Sequence, residues 1–72
     1  MISEQQLTNW FTYHPPPDAK TVEIYEELRL AGLLLASLIV ARTPPSADQT
    51  AAVRKVREAV MTANAAIACQ GL

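Results

Sequence analysis

The sequence predicts an all-α fold: a long αα-hairpin with a short N-terminal helix on a proline-rich connector, assembling as a homo-oligomer. Three observations predict it. Apolar residues recur at helical spacing on both sides of Thr43-Pro44-Pro45, and no segment shows a strand pattern. The run Leu30 to Ala41 is apolar nearly all round, interrupted only by Gly32 and Ser37 and closed by Arg29 and Arg42. A helix of a small monomer needs only one apolar stripe, so this one must be surrounded. Its twelve residues span about 18 Å, short of the ~30 Å hydrocarbon core of a bilayer, which argues against lipid. Thirdly, a chain of 72 residues buries only about 60% of its unfolded surface and needs reinforcement. Cys69 is the single cysteine and His14 the single histidine, so neither a disulfide nor a metal cage is available. Self-association remains.

The chain reads as one domain, 1–72, with a short helix in 1–12, a connector in 13–17 and helices in 18–42 and 46–70. Ser3 with Gln6 is a capping-box pattern that opens the first helix. That helix is too short to stand alone, so it must dock through Leu7, Trp10 and Phe11 or fray. Tyr13-His14-Pro15-Pro16-Pro17 is extended, because prolines lack the donor and restrict the residue before them. Asp18 caps the second helix, whose first half repeats Ile24, Tyr25, Leu28 and Ala31 at helical spacing. Ser46 with Gln49 is a second capping box. The third helix follows with the stripe Val53, Val56, Val60, Ala63 and Ile67, flanked by Ala52, Ala59 and Ala66, and Gly71 is its expected stop.

A formal net charge of −1 lacks the electrostatic footprint of a DNA or RNA polymer binder, yet a small anion needs only one or two cations. The polar, acidic start has no leader pattern, so a cytoplasmic location is expected. No nucleophile–base spacing, HExxH, phosphate loop or CxxC is present. Neither an enzyme nor a cofactor is therefore expected, and no catalytic or metal-ligating residue is assigned.

What remains is suited to binding. Tyr13-His14-Pro15 places an aromatic on a stiff connector, where it can stack a nucleobase or staple the connector to the hairpin. Tyr25, Arg29, Gly32 and Ala36 fall on one helical line. Gly32 costs ~1 kcal/mol against alanine in a helix, which asks for a close helix crossing or an approaching ligand. Glu23, Glu26 and Glu27 suit a solvated face, with Glu26 able to pair with Arg29, and Arg54 with Glu58. Arg54, Lys55 and Arg57 form a basic cluster. Cys69 reads as a small apolar group, and Asn64 among alanines needs a hydrogen-bond partner.

Tyr13-His14-Pro15-Pro16, then Tyr25-Glu26, Arg29 and Ala31-Gly32, the Pro45-Ser46 turn and the closing Glu58 to Ala68 segment with Ala63-Asn64-Ala65-Ala66-Ile67-Ala68 resemble the phage anti-CBASS sponge family over about residues 10–70. The resemblance implies a small, non-enzymatic phage protein that assembles as a hexamer in the host bacterial cytoplasm. It implies sequestration of cyclic dinucleotides, such as 3′,3′-cGAMP, between protomers, and of cyclic trinucleotides at a separate site. Carried over by position, Tyr13 is the stacking aromatic, with His14 and Pro15 beside it, and Arg29 is the phosphate contact. A second, trinucleotide pocket would draw on Ala31, Gly32, Asn64 and Ala68. The chain departs from the family at Thr62, where tryptophan is frequent, and at Cys69 and Gln70, where an arginine often follows. The alternative is an oligomeric helical adaptor that meets a protein partner and takes no nucleotide.

Overall fold

In the computed structural model, which describes residues 1–71, the chain forms three helices: α1 (Glu4–Trp10), α2 (Ala19–Arg42) and α3 (Ala47–Ala68). Each begins where a side chain supplies a missing acceptor. Ser3 Oγ accepts from the Gln6 amide while the Gln6 side chain accepts from the Ser3 amide, both at 3.0 Å, so the first capping box closes as expected. At α2, Asp18 Oδ1 accepts from the Thr21 amide at 2.8 Å and from the Thr21 hydroxyl at 2.7 Å. Those two bonds favour the ionised carboxylate and hold Asp18 below the ordinary carboxylate range.

The sign of the resulting pH dependence follows from that depressed value. The stability this cap adds is complete above the unfolded pKa and is lost as pH falls through the lower folded one. Thermal melts between about pH 6 and pH 2 should therefore show an acid-side loss that Asp18→Asn, a capping residue without a charge, does not share. An identical acid limb in Asp18→Asn would rule the cap out as its source.

The second capping box is corrected by the structure. Ser46 Oγ does accept from the Gln49 amide at 3.1 Å. The Gln49 side chain, however, turns back to the end of α2, donating to the carbonyls of Val40 (3.3 Å) and Thr43 (3.0 Å). It satisfies orphan acceptors of the preceding helix and ties the two arms together at the turn. The C-terminal stop also differs by one residue. Gln70 donates to Ile67 O and Gly71 to Ala66 O, a Schellman arrangement in which Gln70 (φ 55°) occupies the left-handed position usually filled by glycine. Gly71 follows at φ 78°.

Broad packing is confined to α2 against α3. From α2 the half-buried line is Thr21, Tyr25, Leu28, Gly32, Ala36 and Ile39, so Ile24 and Ala31, expected on the core face, are displaced to its exposed flanks. From α3 it is Ala52, Val53, Val56, Val60, Ala63, Asn64 and Ile67, as the stripe indicated, with Ala59 and Ala66 exposed. The close crossing at Gly32 is real: a Cβ there would lie 2.6 Å from Val60 Cγ2. The i,i+4 and i,i+3 ion pairs are not formed among the described residues. Arg29 instead stacks over the Tyr25 ring, 6.0 Å from its centroid. Phe11 is exposed and Leu7 half exposed, so of the three apolar side chains expected to dock α1 these two do not. Trp10 faces α3 at Thr62, Ala65, Ala66 and Cys69.

Among the described residues none is buried. The radius of gyration is 15.2 Å, against about 11 Å for a compact chain of this length. The accessible surface is 5996 Å², roughly 1,600 Å² above that of a compact monomer of the same mass. Leu30, Leu33, Leu34, Leu35, Leu38 and Val40 all remain about half exposed or more. No helix among the described residues is long and apolar enough to cross a membrane.

Candidate functional site

Two concavities beside the α2–α3 hairpin hold most of the expected site residues. The first is a groove of about 380 Å³ with Gly32, Val56 and Val60 on its floor, Arg29 from α2 on one wall and Arg57 from α3 on the other. Neither arginine has a carboxylate partner among the described residues, so both charges are available to an anion. Asn64 lines the same groove with its Oδ1 buried and unbonded. A buried amide oxygen without a donor is a group that a water or a ligand can satisfy.

The second concavity is a cleft of about 330 Å³ where the connector crosses the open end of the hairpin. His14, Pro15 and Pro17 form one side, Thr21 and Tyr25 the floor, and Ile67, Ala68 and Gln70 the other side. Tyr25 joins the two: its ring lines this cleft and carries the Arg29 guanidinium that walls the groove. Tyr13 stands beside the cleft but outside its lining, 82% exposed. An aromatic ring so exposed does not staple the connector to its own hairpin. It is free to stack.

The connector is nonetheless fixed. His14 Nε2 lies 2.7 Å from the carbonyl of Asn9, and since a carbonyl only accepts, that nitrogen carries the proton. Asn9 Nδ2 in turn donates to the carbonyl of Cys69 at 3.2 Å.

The family model for the Acb2/Tad1 hairpin domain matches residues 3–68, nearly the whole chain. The chain belongs to that family. No curated protein and no solved structure gives a significant match. Acb2/Tad1 proteins are anti-CBASS sponges, which act broadly by binding cyclic-nucleotide signals.

Set within the Acb2/Tad1 hairpin, the expected residues fall as follows. His14 and Pro15 share the connector cleft with Ala68, and Arg29 shares the seam groove with Gly32 and Asn64. Ala31 lies in a third depression along the seam, which it shares with Gly32, Leu28, Leu35, Ala59 and Ala63. Within one chain, therefore, Ala31, Gly32, Asn64 and Ala68 do not share a single concavity. The departures from the family pattern at Cys69 and Gln70 sit in the turn that closes α3, where Cys69 receives the Asn9 amide.

Two residues of the site escaped the sequence reading. Arg57 sits within a run of basic residues that masks it, although it stands four residues after Val53, three before Val60 and seven before Asn64, which puts it at the edge of the same face. Asn9 gave no signal at all, because its partner is 60 positions away.

Proposed function

We propose that this Acb2/Tad1 protein is a non-enzymatic homo-oligomer, a hexamer, that sequesters cyclic dinucleotides, 3′,3′-cGAMP among them, and so blocks CBASS signalling in the cytoplasm of the infected host bacterium. A cyclic trinucleotide is the second ligand class, at a site drawing on Ala31, Gly32, Asn64 and Ala68 from neighbouring copies. The observation that carries the reading is the family match over residues 3–68. The geometry supports it with an exposed aromatic on a fixed connector, two guanidinium groups free of carboxylates, and a large apolar surface that seeks copies of the chain.

Binding energy divides between base stacking on Tyr13 and phosphate neutralisation by Arg29, with His14 and Pro15 framing the connector. Stacking contributes ~1–3 kcal/mol per base and tolerates base identity. Arg29 is already oriented by the Tyr25 ring, so little of its freedom is lost when an anion arrives. The action is stoichiometric, and the ligand leaves intact when the protein is denatured.

Isothermal titration with 3′,3′-cGAMP tests the proposal. Saturation near one ligand per two chains is expected, with intact ligand recovered after heating. Tyr13→Ala should weaken binding by about tenfold to a hundredfold while helix content and assembly persist. Silence toward both cyclic dinucleotides and trinucleotides would instead favour the helical adaptor.

A further inference from the structure

Tyr13 protrudes from the molecule, yet both of its neighbours are pinned. On one side the Thr12 hydroxyl donates to Thr8 O at 2.6 Å and the Thr12 amide to Asn9 O at 3.4 Å. On the other, the half-buried His14 ring donates from Nε2 to the same Asn9 carbonyl at 2.7 Å. Beyond His14 come three prolines, which hold themselves extended. Two of the bonds that fix the backbone of Tyr13, one on each side of it, therefore converge on the Asn9 carbonyl.

Asn9 is in turn moored to the far end of the hairpin. Its side-chain amide donates to Cys69 O at 3.2 Å, the carbonyl of the residue that caps α3. The Cys69 thiol approaches Asn9 O at 4.0 Å from the other direction. α1 has only seven residues, too few for a helix to persist in water unaided. Holding it at the end of α3 thus matters for the connector that follows.

We propose that Asn9, Cys69 and His14 form a clasp that pre-orders the connector and presents the Tyr13 ring to the ligand, with Asn9 and His14 acting as positioning residues. His14 cannot at once spend its Nε2 proton on Asn9 O and offer it to a ligand. The clasp works through population. A connector that is ordered only part of the time binds with an affinity reduced by that fraction. In its ligand arm the proposal rests on the cyclic-dinucleotide reading above.

The test uses the full chain, with Asn9→Ala, His14→Ala, the double variant and His14→Gln. Titration with 3′,3′-cGAMP should show each alanine variant weaker by roughly five- to tenfold, the worth of one such hydrogen bond. Asn9→Ala loses the bond to Cys69 O but keeps the carbonyl that accepts from His14, so the double variant should be weaker than either single one, by less than the product of the two losses. His14→Gln keeps a donor and should recover most of the affinity. Backbone ¹⁵N relaxation of the ligand-free protein should find Tyr13 ordered in the wild type and mobile on the nanosecond scale in both alanine variants. Wild-type affinity in Asn9→Ala would overturn the mooring to Cys69 and with it the clasp, and a loss in His14→Ala with Tyr13 still ordered would make His14 a direct contact. An equally ordered Tyr13 in every variant would overturn the clasp as well. If wild-type protein takes up no cyclic nucleotide, the functional reading fails, and the relaxation arm still decides the clasp.

Discussion

Gly32→Ala should destabilise the hairpin, although alanine is the better helix former by about 1 kcal/mol. The added Cβ would stand 2.6 Å from Val60 Cγ2, with Val56 Cγ1 at 3.8 Å, so the clash falls on a single methyl. Val60 is β-branched and stiff at χ1, and it cannot swing aside as a lysine or methionine could. Separating the helices relieves the clash only by loosening the seam. Overpacking of this kind costs about 1–3 kcal/mol, which outweighs the propensity gain and leaves a net loss near ~1 kcal/mol. Gly32→Val, with two more methyl groups and less propensity gain, should lose about 3 kcal/mol. Denaturant titration of both variants reads these losses as lower midpoints. The companion change Val60→Ala removes the colliding methyl, so Gly32→Ala in that background should be neutral or stabilising. Equal penalties in the two backgrounds would show that Gly32 is selected for something other than the crossing.

What could be read in advance and what could not divide along physical lines. Helix starts were legible because a cap is decided within four residues, as Ser3, Asp18 and Ser46 show. The seam was legible because valines at helical spacing have one use in a chain so short, and the Gly32 crossing followed from the cost of glycine in a helix. Local rules failed wherever a side chain had a more distant choice. Gln49 left its own cap for the end of α2, and Arg29 left Glu26 for the face of Tyr25. An exposed ion pair contributes little, so a stacked ring competes well with it. Gln70 takes the left-handed position because the chain must turn one residue before Gly71 arrives. Of the site, the Tyr25–Arg29–Gly32–Ala36 line was visible as spacing. The mooring of the connector by Asn9 was invisible, since no periodicity encodes a partner at the opposite end of the chain.

Leu34→Asp should break the assembly and, with it, ligand capture. Leu34 lies two residues past Gly32, about 200° around the helix, so it points almost directly away from α3. Leu30 and Leu38 share that outer row, and all three are more than half exposed. In an isolated hairpin an aspartate there would change stability by no more than about 0.5 kcal/mol, as surface substitutions do. Against neighbouring copies it would bury an unpaired carboxylate, at a cost of several kcal/mol per site. The two cases are thus far apart. Two features favour the second. The surface exceeds that of a compact monomer by roughly 1,600 Å², about twice what one partner contributes to an interface of standard size, enough for contact with more than one neighbour. No described residue is buried, so the hairpin has no core that would hold it closed alone. Light scattering should therefore report a smaller species for Leu34→Asp, its melting temperature should drop and depend on concentration, and 3′,3′-cGAMP binding should be lost because the proposed site draws on two protomers. Leu34→Met, which keeps volume and polarity, should assemble and bind as the wild type does. A Leu34→Asp protein of unchanged size and unchanged melting would place this leucine row in open solvent, and the stability of the hairpin would then have to come from the α2–α3 seam alone.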